Sequence, residues 1–169
     1  MKRLLVIASL ILAVAAWAQL AGDVVLVSEP EVSDQYLAGG QVTVAQTVDG
    51  DVVAAGRVIL VNGAVSGDVI AAGETVTVSA PVGDDIRVAG QNVLLNGIVG
   101  GHVVAAGNSV VIGQGVEISD WLWTAGNSVT VSGQVGEELR VAANTAVITG
   151  EIKGDVVIDA QTIRIEGAS

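Results

Sequence analysis

Residues 50–85 run GDVVAAGRVILVNGAVSGDVIAAGETVTVSAPVGDD, and within them Ala55-Gly56 returns as Ala72-Gly73 at an interval of 17. Working outward, Ala-Gly recurs at Ala38, Ala89, Ala106 and Ala125, with degenerate copies at Ala142-Ala143 and Asp159-Ala160. The interval is 17 throughout except for 19 between Ala106 and Ala125. A short fixed period marks a solenoid, because a unit this small cannot bury an apolar face alone and must stack on its neighbours.

The columns of the aligned copies give each position a role. Four residues after each Ala stand Val42, Ile59, Val76, Val93, Val110, Val129, Ala146 and Ile163. Six after stand Val44, Val61, Val78, Leu95, Ile112, Val131, Ile148 and Ile165. Ten after stand Val48, Val65, Val82, Val99, Val116, Val135 and Ile152, so the two extra residues of the long interval fall between Val116 and Leu122. Within a unit, as in Thr75-Val76-Thr77-Val78-Ser79, apolar and polar residues alternate with the period of a half-buried strand. Glycines and Gly-Asp pairs (Gly50-Asp51, Gly67-Asp68, Gly154-Asp155) punctuate the strands where the chain must turn. The pattern predicts three short strands per coil around a triangle, and seven to eight coils of this period. At about 4.8 Å per coil, the rod is roughly 36 Å long. The fold class expected is therefore all-β, a single-stranded parallel β-helix. A coil of this length fits a right-handed helix better than the left-handed kind, whose coil is built from three hexapeptides.

Composition agrees. Of 169 residues 51% are hydrophobic but only 2% aromatic, with 22 Gly and no Phe, as a narrow interior of stacked Val and Ile requires. Zero Cys excludes thiolate metal sites and cysteine nucleophiles, and a single His leaves little for acid–base chemistry. No cofactor-binding motif and no catalytic constellation emerges.

Three segments are expected. Residues 1–18 read as a secretory signal peptide: basic Lys2-Arg3, an apolar run from Leu4 to Ala15, then Ala16-Trp17-Ala18. The run is too short to span a bilayer comfortably. Residues 19–37, which include Pro30 between Glu29 and Glu31, read as a lead-in segment and partial first coil, and 38–169 as the β-helix. Export places the protein in the periplasm, at the cell surface or outside the cell. Beyond the signal, five basic residues face eighteen acidic ones, a net charge of −13 that repels phosphate backbones and argues against nucleic acid as a partner.

The coil motif, GD-V-x-A-A-G-x-x-V-x-V, resembles that of the bactofilins and related polymer-forming cytoskeletal proteins, over residues 34–166. The resemblance implies a right-handed β-helix that assembles end to end without nucleotide. Bactofilins are cytoplasmic, whereas this chain carries an export signal. It also has no Phe to supply the aromatic end contact that bactofilins often use.

Several residues invite a functional reading. One corner column holds Asp51, Asp68, Asp85, His102, Trp121, Glu138 and Asp155. Stacked carboxylates at Asp51, Asp68 and Asp85 form a weak candidate for Ca²⁺, set against solvated turn residues that keep the rod soluble. His102 reads as a solvent-facing turn residue. Trp121 and Trp123 flank inward Leu122 and point outward, either as a lateral contact or as rings covering their own corner.

The ends carry the expected function. A β-helix end exposes an unpaired strand edge over apolar residues, so docking of ends continues the ladder. Ile163 and Ile165 at one end, and Val42 and Val44 at the other, are the expected self-assembly residues. The reading is a non-enzymatic, exported structural protein whose partner is itself, forming filaments or higher-order polymers. The alternative is a monomeric or oligomeric surface adhesin, in which the Trp strip contacts the cell envelope or a glycan. A third reading, a polysaccharide-acting enzyme using the acidic column with Arg87, lacks the long inter-coil loops that build a cleft.

Overall fold

The computed structural model describes residues 19–166; the expected signal peptide lies outside the described residues. These are all-β and form a parallel solenoid of about nine turns. The strands are β1 (Leu20–Val27), β2 (Gln35–Val44), β3 (Val52–Val61), β4 (Val69–Val78), β5 (Ile86–Leu95), β6 (Val103–Ile112), β7 (Glu117–Ile118), β8 (Leu122–Val131), β9 (Gln134–Val135), β10 (Leu139–Ile148) and β11 (Val156–Ile165). One nine-stranded sheet runs β1-β2-β3-β4-β5-β6-β8-β10-β11, and every neighbouring pair is parallel. Register follows the repeat: Val52 pairs with Val69, Val69 with Ile86, and Ile86 with Val103.

Each long strand makes two sides of the coil. In β3 the inward residues are Val52 and Ala54, then Ile59 and Val61, with Ala55, Gly56 and Arg57 between them turned outward. The parity of alternation shifts at Ala-Gly, where the strand bends without losing its ladder. The sequence reading expected separate strands here; the structure joins them because a column of small residues lets adjacent backbones pass the bend. A Cβ at Gly56 or Gly73 would overlap the carbonyl oxygen of Gly39 or Gly56 one coil below. The third side is short, a column of bridges Glu31–Val48–Val65–Val82–Val99–Ile118–Val135–Ile152, widening to two residues only in β7 and β9.

That column corrects the position of the extra residues. Ile118, not Val116, pairs with Val99. The insertion therefore sits before the third side, in the turn Gly113-Gln114-Gly115-Val116, closed by Val116 N–H donating to Gly113 O at 3.1 Å. Gly115 faces open space, so the bulge disturbs no neighbouring coil.

The interior is one continuous stack. Val42, Ile59, Val76, Val93, Val110, Val129 and Ala146 are each 2% exposed or less, and the parallel column from Val44 to Ile148 is equally closed. Each such Val or Ile contributes about 1.5–3 kcal/mol by leaving water. A second correction concerns the first coil. Residues 19–37 contain a complete strand: β1 pairs Val25 with Val42 and Val27 with Val44. The expected partial coil is a full one because Val25, Val27 and Leu20 already carry the column pattern, weakly signalled beside Asp23 and Gly22.

Candidate functional site

Two regions concentrate chemistry: the acidic corner column and the last coil. At the corner, each aspartate holds the coil above it. Asp34 Oδ1 accepts the Asp51 N–H at 3.0 Å, Asp51 Oδ1 that of Asp68 at 2.8 Å, Asp68 Oδ1 that of Asp85 at 3.0 Å, and Asp85 Oδ1 that of His102 at 2.8 Å. A Gly-Asp turn leaves an N–H pointing along the rod axis, and the carboxylate one coil below satisfies it. The period of the sequence thus recurs in the side-chain bonds.

Arg87 clamps the outer oxygens. Its guanidinium donates to Asp68 Oδ2 at 2.9 Å and to Asp85 Oδ2 at 2.6 Å, and it meets His102 Nε2 at 3.1 Å. Arginine has only donors, so Nε2 accepts. Nδ1, the other ring nitrogen, lies 2.8 Å from Asp85 Oδ1. His102 is therefore not the free turn residue expected. Its side chain is 20% exposed and lies between Asp85, Arg87 and a ring of Trp121.

These contacts revise the calcium reading. The carboxylates gathered within 4.8 Å of one another are Asp68, Asp84 and Asp85; Asp51 is not among them. One oxygen of each of Asp51, Asp68 and Asp85 holds a backbone N–H, and Arg87 supplies positive charge to two of the others. The column is a structural ladder whose charge Arg87 neutralises in part.

The tryptophans continue the same stack. His102 and Trp121 lie face to face, ring centroids 4.0 Å apart and planes 15° off parallel. Trp123 follows at 4.5 Å and 38°, and the Arg140 guanidinium carbon sits 5.1 Å from the Trp123 ring centre while pairing with Glu138. Both rings point outward as expected, and Trp123 is 43% exposed. Their contacts run ring to ring, so Trp123 meets Trp121 and Arg140 within its own chain. Outward clefts are shallow; one, of about 570 Å³, runs along Ala38, Ala55, Gly56, Ala72, Gly73, Ala89 and Gly90, which carry no reactive group.

The last coil is different. β11 pairs with β10 along its length, Val156 with Leu139 and Ile165 with Ile148. Its other edge has no strand partner among the described residues. Ile163 and Ile165, which occupy interior columns, are 48% and 62% exposed, and Val156 and Val157 are 46% and 52% exposed. Val42 and Val44, expected to form the opposite end, are fully buried beneath Val25 and Val27, which are themselves 5% and 2% exposed. They are core residues, because β1 adds a coil in front of them.

Sequence reasoning set Asp84 beside Asp85 on this edge but missed the part of Asp34 in the ladder and the bridging role of Arg87. Asp34 stands one full period before Asp51, and Arg87 follows closely on Asp85, so the repeat held the signal for both. Comparisons with protein-family models, with curated proteins and with solved structures find no match for this chain.

Proposed function

We propose that this chain is a non-enzymatic structural protein that associates with copies of itself through its coil ends. The observation that carries the reading is the last coil, where interior-type Ile163 and Ile165 stand exposed beside an edge of β11 that has no strand partner among the described residues. A parallel edge with apolar residues beneath it favours another strand of the same pattern, since that hides both the polar backbone and the hydrocarbon. The resemblance of the coil motif to the bactofilins points to the same behaviour. The apolar leader of residues 1–18 supports export, and thus assembly in the periplasm, at the cell surface or outside the cell. A net charge of −13 beyond that leader disfavours nucleic acid, and polymerisation of this kind needs no nucleotide or other cofactor.

The adhesin reading draws less support, because Trp121 and Trp123 stack within the chain. The experiment is sedimentation velocity and negative-stain microscopy of the protein at several concentrations, alongside Ile163→Glu. Concentration-dependent association of the parent, lost in a folded Ile163→Glu variant, supports end contact. Association unchanged by that substitution overturns it.

A further inference from the structure

We infer that Asn96-Gly97 is a self-modification site, at which the folded chain deamidates with water as the only reactant. The inference is independent of the end-contact reading.

The chain holds two Asn-Gly pairs, Asn62-Gly63 and Asn96-Gly97, two periods apart in the same corner columns. Asn-Gly favours this reaction because glycine has no Cβ to obstruct the approach of its nitrogen to the preceding side chain. Both asparagines are exposed and both glycines are buried, so the local sequence gives the two pairs equal standing.

The fold separates them in two ways. Gly63 N–H donates to Val44 O at 3.0 Å, and Asn62 N–H donates to the same carbonyl at 2.8 Å. At the second pair Asn96 N–H is held by Val78 O at 2.8 Å, but Gly97 N–H has no acceptor among the described residues. The coil above differs as well. Ser79 stands over Asn62, whereas Gly113 stands over Asn96, and the Asn96 amide oxygen lies where a Cβ at Gly113 would project. Next to Gly113, Gln114 and Gly115 are exposed, and Gly115 faces open space. The Asn96 amide therefore has more room to turn, toward a nitrogen that no hydrogen bond restrains.

In the step itself, Gly97 N gives up its proton and attacks Asn96 Cγ. The new N–Cγ bond closes a five-membered imide as the Cγ–Nδ2 bond breaks, and Nδ2 takes up one proton and leaves as ammonia. Water then opens the ring at one of its two carbonyls. Opening at Cγ gives aspartate with the main chain unchanged. Opening at the main-chain carbonyl gives isoaspartate, in which the chain runs through Cγ and gains one atom. Either product places a carboxylate in a column that is uncharged from Ala45 to Thr149.

The test follows both amides by peptide mapping and mass spectrometry. Full-length protein is warmed at mildly alkaline pH in heavy-oxygen water, folded and, in parallel, unfolded in urea. In the folded chain Asn96 should convert about five- to tenfold faster than Asn62, the factor that one backbone hydrogen bond accounts for. In urea the two rates should agree. The product carboxylate should carry the label, and part of it should be recognised by an isoaspartyl methyltransferase. Asn96→Ser, which copies Ser79 one coil below, should abolish the fast conversion and leave circular dichroism unchanged. Equal rates in the folded chain, or a faster Asn62, overturn the inference. The same preference in urea overturns it too, since that assigns the difference to flanking residues and not to the fold. So does conversion of Asn96 in urea alone.

Discussion

Arg87 shows how much one side chain adds to a repetitive scaffold. It ties Asp68, Asp85 and His102, which belong to three successive coils, and neutralises part of an otherwise acidic edge. Asp85 is the centre of that cluster, accepting the His102 N–H on one oxygen and Arg87 on the other. Asp85→Ala leaves the His102 backbone N–H without its acceptor and takes from Arg87 one of its two carboxylates. The expected loss is about 2 kcal/mol of stability, read as a lower urea midpoint with unchanged slope. Thr124 presents the opposite case. Its side chain points inward in the column of Ala105 and Val141, and its hydroxyl is buried with no hydrogen-bond partner. Thr124→Val keeps the shape and removes the unpaired hydroxyl. Thermal unfolding should therefore occur at a higher temperature, by a shift corresponding to about 1 kcal/mol.

At the scale of the element, the unit is a bent ten-residue strand with a short third side, and the two tolerate change differently. The turn Gly113-Gln114-Gly115-Val116 holds the two residues by which its coil exceeds the others; Gln114 and Gly115 face solvent and Val116 is buried. Deleting Gln114 and Gly115 restores the common period but sets Val116 in the column of Gly63 and Gly97, where a Cβ overlaps a carbonyl oxygen of the coil below; urea unfolding should show a loss of stability that Val116→Gly in the shortened chain recovers. Ile59 is fully buried in the middle of the stack. Ile59→Ala should cost about 2–5 kcal/mol, measured by urea unfolding, since neighbouring coils are held apart by their ladders and cannot collapse onto the gap. The acids of the corner were legible as turn residues because Gly-Asp is a turn signal. Their bonds to the coil above were not, since they depend on which way each carboxylate points. His102 misled for the same reason: a lone histidine after two glycines resembles a free turn, and the ring of Trp121 that covers it belongs to the next coil.

For the whole molecule, the consequence of stacking is a rod with one flank stapled by carboxylates and, among the described residues, a last strand paired on one edge only. The net charge of residues 19–169, −13, sets copies against one another at long range. If the ends meet as proposed, raising salt from low to moderate concentration should strengthen association by screening that repulsion. Sedimentation at two ionic strengths checks this, and weaker association at higher salt would instead point to contacts held by ion pairs.

The period of 17, carried by Ala55, Ala72 and their counterparts, determined by itself that the chain stacks as a parallel β-helix. Parallel register needs only that identical columns superpose, and a repeated sequence guarantees this. The columns at Val42 and Ile59 determined in the same way which side chains fill the interior. Three outcomes belonged to the tertiary structure. The two extra residues went to Gly113–Val116, not beyond Val116, where Gln114 and Gly115 loop into solvent and the bridge from Val99 to Ile118 stays in register. Residues 20–27 became a strand that covers Val42 and Val44, because an edge strand gains its partner only when the next coil exists to receive it. The tryptophans met His102 and Arg140, because rings on neighbouring coils face each other at about the 4.8 Å spacing of strands, a distance no linear reading contains.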